Sequence, residues 1–156
     1  MRARLTIDNV LGTALHTACE TGGEFCTITS DGQHLILTDA SNHSLPINIP
    51  AEFSYHQYNL GLSCGYIVGL PYINEMGEDV AHVICYDRAC SNCYQNHSIT
   101  KPLVLRPSGY AKCNNCGRTY NLNDVGIVSD GPAGRNLFRY RVSYYSSPNF
   151  TLVINN

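Results

Sequence analysis

Four of the chain's eight cysteines are set out in a pattern: Cys90-x2-Cys93, nineteen intervening residues, then Cys113-x2-Cys116, with Gly117 directly after the last. Two residues between a pair of thiolates let the backbone turn tightly enough to aim both sulfurs at one ion, and a second such knuckle completes a tetrahedron. A glycine after the pair suits backbone that needs a positive φ. Bridging within either pair would close a strained, easily reduced disulfide of the kind redox catalysts use. The spacing therefore points to a metal site on Cys90, Cys93, Cys113 and Cys116, with disulfides or free core thiols as the alternative. Four soft thiolates select zinc or iron. They leave no coordination place for water, so a zinc ion held here is structural rather than catalytic.

The neighbourhood of the knuckles, Asn92, Tyr94, Asn114, Asn115 and Tyr120, offers no acid placed as a general base. Cys19, Cys26, Cys64 and Cys85 lack ligand spacing and read as small buried residues, although a Cys19–Cys26 bridge across Gly22-Gly23 stays open in an oxidising compartment. No protease signature surrounds any cysteine. His16, His34, His43, His56, His82 and His97 are scattered and read as ordinary, His97 as an exposed loop residue. Ser63-Cys64-Gly65 and Gly131-Pro132-Ala133-Gly134 lack the lysine and helix of a phosphate loop and read as turns. Tyr140, Tyr144 and Tyr145 with Arg139 and Arg141 alternate along one strand, which places them on core and solvent faces more simply than on a stacking platform. The chain is read as a non-enzymatic module.

The elements that position the knuckles emerge from composition and alternation. Thirteen Gly, seven Pro, eleven Tyr and no Trp suit short strands and tight turns. Alternating runs at 33–38, 45–49, 65–70, 80–86, 103–105, 138–144 and 150–154 read as strands, with hairpin turns at 74–79 and 146–149. One helix is expected after an Asp8 or Asn9 cap, carried by Val10, Leu11, Ala14, Leu15 and Ala18 and stopped at Gly22-Gly23. Between the knuckles, Leu103-Val104-Leu105, the Pro107-Ser108-Gly109 turn and Tyr110-Ala111 can run out and return. The expected fold is all-β, a small antiparallel sandwich or barrel with at most one short N-terminal helix. One domain spans 1–156, with metal-binding loops inserted at 87–120.

Charged residues make up 14% of the chain and its net charge is −2, too few and of the wrong sign for a polybasic groove, so nucleic acid is not the expected partner. No apolar run approaches the roughly 20 residues of a membrane helix, and the first residues lack the apolar core of a signal peptide. The chain as written is expected to be soluble and cytoplasmic, with an unidentified protein partner.

The second knuckle and the segments C-terminal to it, Cys113-Asn114-Asn115-Cys116-Gly117-Arg118-Thr119-Tyr120, then Gly126-Ile127-Val128, Gly131-Pro132-Ala133 and Leu137–Val142, resemble in order the C-terminal half of Rieske [2Fe–2S] domains. Gly65–Gly69 and Val83–Cys90 look like the strand pair that leads into that family's first ligand loop, so the resemblance covers roughly residues 62–156. It implies a Rieske-like β fold, Gly131, Pro132 and Ala133 as a loop covering a cluster, electron transfer to a partner, and a cell-envelope location should the natural chain extend further upstream. The ligand set departs from the family: Cys116 stands at the second loop's histidine position, Asn92 at the first loop's, and Cys93 comes one residue later. With thiolates in place of imidazoles, an iron centre would fall from the Rieske range towards about −400 mV. Zinc is favoured because two x2 knuckles close a single-ion tetrahedron. A [2Fe–2S] cluster, or one iron in a rubredoxin-like site, is the alternative.

Overall fold

Alternation of apolar and polar residues along short β-branched and aromatic runs produces a chain built almost wholly of antiparallel strands. A computed structural model describes residues 3–49, 58–72 and 82–156. In chain order the elements are β1 (Ala3–Ile7), α1 (Ala14–Glu20), β2 (Phe25–Ser30), β3 (His34–Asp39), β4 (Ser44–Asn48), β5 (Asn59–Leu60), β6 (Tyr66–Gly69), β7 (Ile84–Asp87), α2 (Ser91–His97), β8 (Val104–Arg106), β9 (Tyr110–Lys112), β10 (Thr119–Asn121), β11 (Ile127–Asp130), β12 (Arg139–Tyr145) and β13 (Thr151–Asn155). The fold is all-β. No helix among the described residues is long and apolar enough to cross a membrane.

Nine strands form one sheet in the order β4-β3-β2-β6-β7-β12-β13-β1-β5, and β11-β10-β9-β8 form a second. β12 joins the two halves of the large sheet: Arg139 and Tyr140 pair with β7, while Arg141 to Tyr145 pair with β13. Leu5 and Ile7 of β1 and Leu152 and Ile154 of β13 share one core with Ile28, Leu35, Leu37, Tyr66 and Val68 from the far half, and Leu15 and Ala18 of α1 plug it. Residues at the two ends of the strand order can meet in one interior only if the sheet folds over on itself. β6 and β7 are buried on both faces. Tyr66, Val68 and Cys85 face the first core, and Ile67, Ile84 and Tyr86 face a second one, which they share with Leu103, Ala111, Tyr120, Leu122 and three of the knuckle cysteines.

Several expectations shift by a residue or two. The runs at 33–38, 45–49, 65–70, 103–105, 138–144 and 150–154 are seen as β3, β4, β6, β8, β12 and β13. The run at 80–86 becomes β7, its first two residues lying outside the described ones, as do the turn at 74–79 and His56. The turn at 146–149 is present, closed by the Phe150 N–H donating to the Ser146 carbonyl. The N-terminal helix starts later than expected. Asn9 and Gly12 have positive φ, which breaks the helical path at Val10 and Leu11, and Thr13 caps instead, its hydroxyl accepting from the His16 N–H.

The limit of one helix is corrected by α2. Its sequence, Ser-Asn-Cys-Tyr-Gln-Asn-His, has no apolar period and few good helix formers. It is helical because burial of Ser91, Asn92 and Cys93 against the second core overrides local preference, and Ser98, at φ 56, closes it by donating to the Tyr94 carbonyl. Strands β1, β2, β5, β9, β10 and β11 add to the expected set. β11 takes the four-stranded sheet beyond residue 120, and the whole section between β7 and β12 rides on the outer face of β6 and β7.

Candidate metal centre

The first knuckle is anchored to the large sheet through β7. Past Asp87 the chain makes a short bridge, Ala89 opposite Pro102, with the Leu103 N–H donating to the Arg88 carbonyl at 2.7 Å and the Cys90 N–H to the Lys101 carbonyl at 2.8 Å. Cys90 then caps α2, its carbonyl accepting from the Tyr94 N–H. One helical turn brings Cys93 onto the same face as Cys90, because side chains three apart are neighbours.

The second knuckle is the tip of the β9–β10 hairpin. Lys112 pairs with Thr119. The Cys113 N–H donates to the Arg118 carbonyl, and the Gly117 N–H to the Cys113 carbonyl, both at 2.9 Å. Gly117 has φ +79, the conformation expected for it from its place in the motif. The nineteen residues between the knuckles run out through β8 and return through β9.

These supports bring the four sulfurs together. Cys90 Sγ lies 3.7 Å from Cys116 Sγ, Cys93 Sγ lies 3.7 Å from Cys113 Sγ, and all four lie within 4.8 Å of one another. Such a group can hold a metal ion. All eight cysteines are free thiols, so neither knuckle is bridged and Cys19 and Cys26 are unlinked. Cys90, Cys93 and Cys113 are buried, and Cys116 is half-buried.

Burial and local hydrogen bonds act in opposite directions on Cys93, Cys113 and Cys116. Burial pushes the Cys113 thiol up to about 12, against hydrogen bonds from the Cys116 and Asn115 backbone, and burial raises Cys93 as well. At Cys116 burial acts in the same direction, but hydrogen bonds from the Arg118 backbone and guanidinium and from Cys113 and Cys90 outweigh it and pull the thiol down to about 7. Buried thiolates are stable only beside positive charge, which a metal ion held by this group would supply.

Polar side chains around the sulfurs tie the knuckles to each other. Asn92, itself buried, donates through Nδ2 to the Tyr120 Oη at 2.8 Å and to the Arg135 carbonyl at 3.0 Å, and its Oδ1 accepts from the Arg135 N–H at 2.9 Å. Tyr120 Oη lies 3.0 Å from Cys90 Sγ. With Asn92 donating to its oxygen, the Tyr120 hydroxyl keeps its proton available for the sulfur, which can only accept once it is a thiolate. Asn115 Nδ2 donates to Cys93 Sγ at 3.4 Å.

Gly131, Pro132 and Ala133 lie beside the second knuckle. Arg118 donates from Nε to the Pro132 carbonyl at 3.0 Å and from Nη2 to the Ala133 carbonyl at 3.2 Å. Gly134 packs so closely on Asn92 that an added Cβ would sit 2.4 Å from Oδ1.

Among the surrounding residues read from sequence, Asn92, Asn115 and Tyr120 touch the sulfurs or each other. Asn114 is exposed, and Tyr94 packs edge-on against Phe138, ring centroids 6.0 Å apart. Arg118 and Asp87 are the functional supports that spacing missed. Asp87 is buried, and its carboxylate accepts from the Leu62 N–H at 2.9 Å, the Ala89 N–H at 2.8 Å and the Tyr140 hydroxyl at 2.6 Å, holding the end of β7 where the first knuckle departs. An Asp at the end of a buried strand run, three residues before the first knuckle cysteine, was the available signal.

His97 ends α2, exposed, and His82 is exposed elsewhere; His16, His34 and His43 pair with Glu20, Asp31 and Asp39 at the surface. Along β12 burial alternates strictly, with Tyr140 and Tyr144 turned inward and Arg139, Arg141 and Tyr145 outward. Comparison with family models, with curated proteins and with solved structures gives no match for this chain.

Proposed function

We propose that Cys90, Cys93, Cys113 and Cys116 hold one zinc ion as a structural clip in a non-enzymatic, Rieske-like module that acts by binding a protein partner. The observation that carries this reading is the span of the sulfurs. A tetrahedron with metal–sulfur bonds of about 2.3 Å has edges of about 3.8 Å, and the two 3.7 Å separations meet that spacing before any ion is placed. A two-iron cluster would set its thiolates in pairs held apart by the second iron and the bridging sulfides, so a 4.8 Å limit on every pair favours a single ion. With four protein ligands the ion has no open position, and its contribution is to stability. Structural zinc supplies about 10–16 kcal/mol of apparent binding free energy, as much as the whole stability of an ordinary domain.

The Rieske-like part of the reading is supported by the placement of the knuckle section between the paired strands β7 and β12, by Tyr120 reaching back to Cys90, and by Gly131–Ala133 lying against the second knuckle. Asn92, at the first loop's histidine position, serves as a bolt between loops rather than as a ligand. A second reading, an electron-transfer protein with iron on the same cysteines, is favoured by half-buried Cys116 as a route to solvent and by the hydrogen bonds to the sulfurs, which tune iron potentials. Elemental analysis and absorption spectra of anaerobically purified protein decide between them. One zinc per chain and no visible absorption is the expected result. Reducible iron with charge-transfer bands overturns zinc, and protein without metal overturns both. Chelation should unfold the knuckle section, with β9 and β10 amides losing hydrogen-exchange protection before those of β2 and β3.

A further inference from the structure

Between the large sheet and β8 lies a second feature, independent of the metal: a cleft of about 530 Å³. One wall is a row of hydroxyls. Register places Thr27 opposite Thr38 and Thr38 opposite Ser44, so Thr27, Thr29, Thr38 and Ser44 line the same space, with the buried Thr27 hydroxyl donating to the Thr38 carbonyl at 3.4 Å and the Thr38 and Ser44 hydroxyls 2.9 Å apart. The other wall carries Arg88, the residue after β7, and Arg106 of β8.

Arg88 is under-partnered for its setting, whereas Arg106 is exposed at the cleft's edge. Arg88 is half-buried, its Nη1 donates to the Cys64 carbonyl at 3.2 Å, and its buried Nε meets no acceptor. Among the described residues no carboxylate pairs with Arg88 or Arg106. Asp39 also lines the cleft, but its Oδ1 already accepts from the Ser41 and His43 N–H groups and its Oδ2 lies 3.3 Å from His43 Nδ1. Removing a guanidinium from water without an opposing charge is costly, and the cost is recovered when an anion arrives. The planar fork of arginine matches phosphate and carboxylate oxygens, and threonine and serine hydroxyls can donate or accept beside it. The volume is that of a small-molecule site, roughly 300–1,000 Å³, which leaves room beyond a bare ion.

We infer that this cleft binds a small molecule through an oxyanion head group, phosphate or carboxylate, seated against Arg88 and Arg106, with its body along the hydroxyls of Thr29, Thr38 and Ser44. The test is a titration of ¹⁵N-labelled full-length, metal-loaded protein with inorganic phosphate and, separately, with acetate, monitored by amide chemical shifts. Saturable shifts at Thr29, Thr38 and Arg106 are expected with at least one anion, and the tighter of the two identifies the head group. Arg106→Gln alters an exposed side chain and should weaken binding by roughly tenfold or more, as loss of a charged hydrogen bond does. Arg88→Gln should weaken it further, and Arg141→Gln, on β12 away from the cleft, should leave it unchanged. Should Arg88→Gln fail to fold, Arg106→Gln alone decides. Absence of saturable shifts with either anion at tens of millimolar, or wild-type affinity in Arg106→Gln, overturns the assignment. Metal content, measured on the same samples, stays constant throughout, so failure here is distinct from failure of the zinc reading.

Discussion

Replacing Tyr120 by Phe removes the hydroxyl that links Asn92 to Cys90 at the candidate metal centre. Tyr120 is fully buried among Leu122, Ala111, Leu103 and the knuckle cysteines, and Phe keeps the ring, so no large cavity opens. What disappears is the hydroxyl 3.0 Å from Cys90 Sγ, while Asn92 Nδ2 loses one acceptor but keeps the Arg135 carbonyl at 3.0 Å. With metal bound Cys90 is a thiolate, and a hydrogen bond to a charged group contributes about 1.5–3 kcal/mol. Without metal the partner is a thiol, a weak acceptor, and the bond contributes far less. Tyr120→Phe should therefore weaken zinc binding by roughly 10–100-fold, the range seen when a group supporting a metal ligand is removed, and lower apo-protein stability by about 1–3 kcal/mol through the Asn92 N–H left without its partner. Competition against a chromophoric chelator gives the first quantity and urea denaturation in excess chelator gives the second. Unchanged zinc affinity, or an equal loss with and without metal, refutes the claim that the Tyr120 proton serves the sulfur.

Cys113→Ser and Cys116→Ser should each lower metal content and thermal stability together, whereas Cys19→Ser and Cys64→Ser should leave stoichiometry intact by elemental analysis. Asp87→Asn replaces an acceptor of three hydrogen bonds with a group that accepts through one atom only, and should cost about 1–3 kcal/mol in urea denaturation. Burial outweighs those hydrogen bonds and raises the Asp87 carboxyl above its ordinary 3.8. The folded chain thus holds that proton more tightly than the unfolded one, and the stability this gives is full below 3.8 and is lost as pH rises through the folded-state value. The stability gap between wild type and Asp87→Asn should shrink from acid to neutral pH, and a gap that widens would contradict the assigned direction. Gly134→Ala should push the 131–135 loop off Asn92, read as faster hydrogen exchange at the Arg135 amide, which donates to Asn92 Oδ1.

The cysteine quartet could be read from sequence because ligand spacing is a local property: each knuckle needs only a short turn, and Gly117 announces one of them. The strand character of β3, β6, β12 and β13 was readable for the same reason. What escaped was non-local. α2 is made helical by what Ser91, Asn92 and Cys93 are buried against, 20 or more residues away in Cys113 and Tyr120. β1 and β2 carry ordinary β-type residues, yet their place depends on β13 and β6, which no window of neighbouring residues contains. Asp87 looked like a turn residue after a strand, and only the approach of Leu62 and Tyr140 makes it a junction.

Strands β6 and β7 carry a different interior on each side, so consecutive residues along them belong to separate packing environments. Tyr66 and Val68 look towards α1 and the folded-over sheet, and Ile67 between them looks towards the sulfurs. A methyl probe at Ile67 and another at Val68, one residue apart on the same ribbon, would accordingly watch two compartments at once. A change at the cysteines would therefore be felt first by Ile67, Ile84 and Tyr86, and one layer of backbone in β6 and β7 separates those side chains from Tyr66, Val68 and Cys85 in the other interior.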